Sequence, residues 1–140
     1  MNNWQTYAIA SAFFAGLTAI FGKIGVSDIN SNFATFVRTI VILIVSAGIV
    51  TYRHEWTKVD SVPGRSLIFL VLSGIATGLS WLCYYRALQI GPASRVAPVD
   101  KLSVAFAIIM GILVLGEPFN WKVAFGGTLI VAGSLVLAFS

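Results

Sequence analysis

The sequence contains very little charge. Only 10% of its 140 residues are Asp, Glu, Lys or Arg, whereas 58% are hydrophobic. Soluble domains carry about 25% charged residues, so this chain has too few to cover a water-exposed surface. The basic residues lie between apolar runs and not along one polar face, so the net charge of +4 does not indicate a nucleic-acid partner. The composition predicts an integral membrane protein.

Cysteine and histidine are almost absent, with one residue of each. Cys83 cannot form a disulfide framework, and its place in an apolar run favours a buried thiol. His54 lies in a polar loop, without a second histidine to complete a metal site. We find no HExxH, GxSxG or phosphate-loop motif, so we expect no metal, no cofactor and no enzymatic activity.

What the sequence does contain is long apolar runs. About 20 residues are needed to cross a bilayer as a helix, and five segments meet that length. They are residues 4–26, 33–53, 66–90, 95–116 and 121–139. The sequence therefore predicts one all-α domain over residues 1–140, a bundle of five transmembrane helices joined by short loops.

Two of these spans cannot cross unless they include charged residues. The uncharged part of the fourth span, residues 102–116, has 15 residues and a length of roughly 22 Å. A bilayer core is about 30 Å thick, so the helix must also include Asp100 and Lys101. In the second span the uncharged run is residues 39–52, and Arg38 is included for the same reason. Buried charges of this kind are costly unless they are paired or wetted, which predicts a functional site.

The three charged residues enter the membrane from the same side at similar depth. The least costly arrangement is an Arg38–Asp100 ion pair that faces the bundle interior or a wet cavity. Lys101 either lines the same cavity or extends its ammonium group to the interface. We expect Lys23, at the end of the first span, to extend to the interface in the same way.

An aromatic cluster near the end of the third span has two interpretations. Trp81, Tyr84 and Tyr85 precede Arg86. They form either an interfacial aromatic belt or the wall of a substrate cavity one turn from a cation.

The connection between the third and fourth spans is a tight hairpin. Gly91 and Pro92 form the turn, and Ser94 is the predicted N-cap of the fourth helix. Pro98 would then be the fourth helical residue, where a missing N–H costs little. For the second helix, Ser31 or Asn32 is the predicted cap.

Basic residues in the loops and near the ends of the spans, leaving out the buried Arg38 and Lys101, are divided almost equally between the two sides of the membrane. One side has Arg53, Lys58, Arg65 and Lys122, and the other has Lys23, Arg86 and Arg95. Such a balance permits insertion in both orientations and therefore an antiparallel homodimer. Gly74 and Gly78 form a GxxxG pair, which lets another backbone approach, from the same chain or from a second one.

Three motifs carry a resemblance to a known family. Residues 84–89 read YYRALQ, residues 91–98 read GPASRVAP, and residues 115–117 read LGE. In this order and spacing they resemble the EamA domain of the drug/metabolite transporter superfamily, over the whole chain. The resemblance implies an all-helical carrier of small organic molecules in the bacterial inner membrane. The common family member has two such domains, ten helices in an inverted repeat. This chain corresponds to one half, so its partner would be a second copy or a related half-size protein.

The chain is also similar to the small multidrug resistance proteins, whose short chains pair antiparallel. It lacks their membrane-embedded glutamate in the first helix, where Phe13 and Phe14 stand. If transport is coupled to a proton or ion gradient, Asp100 is the acidic residue placed within a span. Glu117 is expected to have a structural role, capping the fifth helix or pairing with Lys122.

The sequence therefore predicts a secondary transporter, an exporter or exchanger of a small organic metabolite or drug. The predicted substrate or coupling-ion residues are Arg38, Asp100, Lys101, Trp81, Tyr84, Tyr85 and Arg86. The cationic residues favour an anionic or zwitterionic solute. The alternative is a subunit of a heteromeric membrane assembly, such as a flippase for lipid-linked metabolites.

Overall fold

The computed structural model describes residues 3–58 and 61–139, and this part of the chain contains helices and no strand. The helices are α1 (Asn3–Gly25), α2 (Ser31–Tyr52), α3 (Gly64–Ile90), α4 (Ala93–Asp100), α5 (Ser103–Leu115) and α6 (Trp121–Phe139). Five stretches are long and apolar enough to cross a membrane, with α4 and α5 together forming the fourth, Ala93–Leu115. The predicted all-α architecture of five spans is confirmed, and the ends of the spans lie within two residues of the prediction.

The fourth span is broken, so the prediction of one continuous helix over residues 95–116 is wrong. The helix is interrupted at Lys101 and Leu102, whose N–H groups donate to Pro98 O and Val99 O at 3.0 Å each. These are bonds to the third preceding residue, which wind the chain more tightly than an α-helix. Pro98 has no N–H and its ring crowds the preceding turn, which gives a physical reason for the change.

Ser94 does not cap this span, and that prediction is also wrong. The N-cap is Pro92, which makes no side-chain capping bond, and Ser94 is the second residue of α4. The N–H groups of Arg95 and Val96 both donate to Pro92 O, so the first turn is formed from the proline carbonyl. Pro98 is consequently the sixth helical residue instead of the fourth, beyond the turn in which a missing N–H is harmless.

The cap of the second helix lies one residue before Ser31 and two before Asn32, the two predicted caps. Asn30 is the N-cap, and its Oδ1 accepts hydrogen bonds from the N–H groups of Asn32 at 2.9 Å and Phe33 at 3.4 Å. The prediction that Ser31 or Asn32 caps the helix is therefore wrong. An asparagine with an extended backbone directly before a helix can satisfy two of the N–H groups that the first turn leaves unpaired.

Replacing Asn30 with alanine should lower the free energy of unfolding by about 1 kcal/mol, because the first turn of α2 loses its side-chain acceptor. Denaturant unfolding in detergent micelles, followed by circular dichroism, measures this loss. Asn32→Ala is the matched control, since Asn32 supplies only its backbone N–H to the cap. Equal losses in the two variants would contradict the assignment.

The chain divides into two compact units. Unit 1 contains α1 up to Lys23 together with α4, α5 and α6, and unit 2 contains residues 24–89, with α2 and nearly all of α3. In unit 1, α4 and α5 pack against α6. A Cβ atom at Gly127 would lie 2.6 Å from Ile108 Cδ1, so this glycine allows α5 and α6 to approach closely.

Few side chains of the described residues are shielded by the protein itself. In unit 2 the buried apolar residues are Val26, Ala34, Tyr85 and Leu88. Cys83 is exposed, so the predicted buried thiol is wrong. An apolar run in a membrane helix faces lipid as readily as protein, so its hydrophobicity does not show which side chains are enclosed.

Candidate functional site

The predicted site residues of unit 2 come together around Arg38. Its guanidinium carbon lies over the Trp81 ring, 4.0 Å from the ring centroid, and 5.2 Å from the Tyr85 centroid. Tyr84 contacts Tyr85 edge to face, with ring centroids 6.3 Å apart. The geometry is that of a cation held by aromatic faces, an interaction worth up to about 2 kcal/mol when water is excluded.

This arrangement follows from where the side chains lie along their helices. Arg38 is the eighth residue of α2, about 10 Å from the start of the helix. Trp81 and Tyr85 are four residues apart on α3 and therefore lie on one face of that helix. A cation in this position is one turn or more inside the span, as the sequence predicted.

One nitrogen of Arg38 has no hydrogen-bond partner. Nη1 is buried, and no acceptor for it is present among residues 3–58 and 61–139. The acidic groups of the described part of unit 2 are engaged elsewhere: Asp28 accepts from Ser27, and Glu55 pairs with Arg53 at 2.8 Å. A buried donor without an acceptor costs about 1–3 kcal/mol, and such groups are rare in folded proteins.

A polar cluster that sequence reasoning missed lies at the end of α3. Gln89 Nε2 donates to Ile29 O at 2.9 Å and to Val26 O at 3.2 Å. Its Oε1 accepts from Arg86 Nη1 at 2.6 Å. Gln89 thus ties the connection between α1 and α2 to the end of α3. The signal in the sequence was an amide placed at the end of an otherwise apolar run.

The bond to Gln89 gives Arg86 a structural contact, whereas its predicted part in substrate binding stays a prediction. Arg86 is exposed, on the last turns of α3. The cation that lies over the Trp81 and Tyr85 rings is Arg38, and the contact shown for Arg86 is with Gln89.

In unit 1 the predicted charged pair lies at the break in the fourth span. Asp100 is the last residue of α4, and its Oδ2 is 3.5 Å from Lys101 Nζ. Both side chains are partly exposed. Because the pair is part-solvated, it contributes little to stability. The predicted Arg38–Asp100 pair joins residues of the two units and stays a prediction.

Lys23 makes a specific contact at the end of the first span. Its Nζ donates to Gly91 O at 2.9 Å in a partly buried contact, which links the end of α1 to the hairpin before α4. Gly91 lies between two spans, so this bond is compatible with a position at the membrane surface, and the predicted extension of Lys23 to the interface stays a prediction. The residue after Gly91 is a proline, which has no N–H, so this segment has few backbone bonds of its own.

The end of α5 shows what Glu117 does. Gly116 ends the helix in the left-handed conformation, with a φ of 69°, and Glu117 N–H donates to Gly111 O at 3.1 Å. The Glu117 carboxylate folds back over Gly111, where an added Cβ atom would lie 2.9 Å from Oε2. Glu117 thus packs against the end of its own helix. The start of α6 is capped instead by Asn120, whose Oδ1 accepts from Lys122 N–H at 2.9 Å, so the prediction that Glu117 caps the fifth span is wrong.

The structure also shows the surroundings of the predicted GxxxG pair on α3 and of the side chains that could bind a metal. A Cβ atom built on Gly74 or Gly78 would have no other atom within 4 Å in the described chain, so the groove between them is open there. Among residues 3–58 and 61–139, no three His, Cys, Asp or Glu side chains lie close enough together to hold a metal ion.

Comparison with known proteins identifies the family. The model of the EamA-like transporter family matches residues 2–139. The chain belongs to this family. This EamA-like transporter is 54% identical over 136 residues to a Sinorhizobium protein named "Uncharacterized transporter in cobO 3'region", which covers 97% of this chain and 96% of that protein. It is 28% identical over 129 residues to an uncharacterized protein of Methanocaldococcus jannaschii, covering 92% and 91% of the two chains. No solved structure matches.

Family membership and the five spans together define the protein class. The EamA-like chain is a multi-pass protein of the lipid bilayer that takes part in membrane transport. Because the family consists of transporters and the Sinorhizobium relative is named as one, the prediction that the chain is not an enzyme is confirmed.

Proposed function

We propose that this chain is a secondary transporter that exports or exchanges a small organic metabolite or drug across the bacterial inner membrane. The observation that carries the proposal is the Arg38 cation, held within a span by Trp81 and Tyr85. Charged residues inside spans are expensive and mark solute or ion pathways by default. Tyr84 adds a further aromatic surface beside Tyr85, as expected for the wall of a solute site.

The working form that we propose is a homodimer with antiparallel chains. The family resemblance implies two five-helix halves, and both relatives are matched over nearly their whole length, so they too are the size of one half. The open groove at Gly74 and Gly78 offers a place for a second helix to approach closely. Balanced basic residues on the two sides permit both orientations of the chain.

The break in the fourth span is the proposed site of coupling and movement. Asp100 lies at the end of a half-helix, and broken helices in transporters place ion-binding groups within the membrane. We propose that a proton or cation gradient acts at Asp100, that Lys101 balances its charge, and that Pro98 permits the two half-helices to move. Gly91 and Pro92 would serve as the hinge on the other side of α4.

Flux into proteoliposomes tests the proposed function. The purified chain is reconstituted and offered a panel of neutral, cationic and anionic solutes, with and without an imposed proton gradient. At least one solute should enter faster than into protein-free vesicles. Absence of flux for every solute would contradict the proposal. Obligate co-purification of a different membrane protein would favour the heteromeric alternative.

A further inference from the structure

We infer that Arg38 binds an oxyanion, and that its ligand is the carboxylate of a small organic solute. The inference rests on the proposed function and specifies the class of solute. Its starting point is the buried Nη1 donor, which has no acceptor in the described residues. Because a donor in this position is costly to leave unpaired, the fold keeps a hydrogen-bonding capacity that it does not use itself.

The aromatic contacts determine which part of Arg38 remains available. Trp81 and Tyr85 are positioned against the guanidinium carbon at 4.0 Å and 5.2 Å from their ring centroids. A ring face attracts the cation but accepts no in-plane N–H bond in the ordinary sense, so the rings hold the group and leave its donors to another partner. A guanidinium has five N–H donors in a rigid planar fork.

The chemistry of that fork selects the ligand. Two parallel N–H donors match the two oxygens of a carboxylate, and such charge-assisted pairs are about twice as strong as neutral hydrogen bonds. The acidic side chains of the described part of unit 2 are bonded to Ser27 and Arg53 and do not neutralise Arg38. An anionic solute would supply both the missing acceptor and the missing charge. A cationic solute would add to the unbalanced charge.

A lipid phosphate offers similar oxygen acceptors, and the depth of Arg38 argues against it. The residue lies about 10 Å along α2 from the start of the span, about two helical turns from the end at which headgroups gather. Arg65 provides the contrast: it is the second residue of α3, and its guanidinium carbon is 5.9 Å from the Phe69 centroid. Arg65 is therefore the arginine placed for a headgroup, and Arg38 is the one placed for a solute.

The test uses Trp81 as the reporter, because Arg38 lies against its ring. The chain has four tryptophans. Phenylalanine replaces Trp4, Trp56 and Trp121, and the fluorescence of the remaining tryptophan is followed in maltoside micelles. Benzoate, its neutral isostere benzamide, and short-chain phosphatidylglycerol are added in separate titrations. Benzoate should give a saturable change, and benzamide should give none in the same range.

Variants assign the effect to the guanidinium. Arg38→Gln should weaken benzoate binding by at least about tenfold, the loss expected for a charge-assisted pair. Arg38→Lys keeps the charge without the planar fork, so its affinity for benzoate should lie between those of the parent protein and Arg38→Gln. This variant keeps the test valid if the glutamine variant folds poorly. Arg65→Gln, the matched control for a cation over an aromatic ring, should bind benzoate like the parent protein.

Three results would overturn the inference: benzamide binding as tightly as benzoate, equal benzoate binding by the Arg38→Gln and parent proteins, or a response to phosphatidylglycerol alone. In each case the transport proposal is tested separately. Flux of a neutral or cationic solute that is the same in Arg38→Gln and parent proteins would support transport without support for carboxylate binding. Absence of flux for every solute, with benzoate still bound through Arg38, would instead contradict the transport proposal alone.

Discussion

Replacing Arg38 with glutamine is expected to reduce solute flux at least about tenfold in proteoliposomes. The physical reason is that the substituted side chain keeps hydrogen-bonding atoms but loses the positive charge and the planar fork, which together contribute about 1.5–3 kcal/mol to a charged hydrogen bond. The measurement is made below half-saturation, so that lost binding and lost turnover both appear in the rate.

The control for this substitution is Arg65→Gln. Both arginines belong to unit 2 and both lie near an aromatic ring, but Arg65 is close to the start of its helix whereas Arg38 is inside the span. Circular dichroism must show the same helix content in both variants. Equal flux through the two proteins would remove Arg38 from the proposed site.

The second large effect is expected at Gln89. Its replacement by leucine should lower the free energy of unfolding by about 2–3 kcal/mol, because the carbonyls of Val26 and Ile29 lose their donor and Arg86 loses its acceptor. Unfolding in mixed micelles of maltoside and dodecyl sulfate, followed by circular dichroism, gives the change. Arg86→Gln is the control, since it removes one exposed bond and leaves both carbonyls bonded. A loss in Arg86→Gln as large as that in Gln89→Leu would contradict the proposed role of the amide.

The five spans could be predicted from the sequence because membrane crossing depends on length and apolar composition, which are local properties. The ends of the spans agree within two residues for the same reason. The inclusion of Arg38 and Asp100 in the spans could also be predicted, because the uncharged runs beside them are too short to cross alone. These conclusions required no knowledge of which helix faces which.

The contacts of the site could not be predicted, because they depend on the rotation of each helix about its axis. Nothing in the local pattern shows that Arg38 lies against Trp81, since the distance between them is set by the packing of α2 on α3. Gln89 was missed for the same reason: its partners are carbonyl groups 60 and 63 residues away in the chain. Nor does the apolar run around Cys83 indicate which of its faces is enclosed.

The break in the fourth span was not predicted for a different reason. Pro98 was visible in the sequence, but its effect depends on its position counted from the first helical residue. A cap at Ser94 would have placed it in the tolerant first turn, whereas the observed cap at Pro92 places it two residues deeper. An error of two residues at a helix start therefore concealed the interruption between α4 and α5.

The central claim is that Arg38 is carried inside the membrane because it faces a water-filled route. Reaction of a cysteine at that position with a water-soluble, membrane-impermeant thiosulfonate tests it most directly. Arg38→Cys is made in a Cys83→Ser background, so that the introduced cysteine is the single thiol of the protein. Ile44→Cys, also on α2 and exposed on an apolar part of the span, is the matched control.

Position 38 should react at least about tenfold faster than position 44, since only a wetted thiol ionises readily to the reactive thiolate. Equal, slow labelling of the two positions would mean that Arg38 is enclosed by hydrocarbon and protein alone, and would contradict the account.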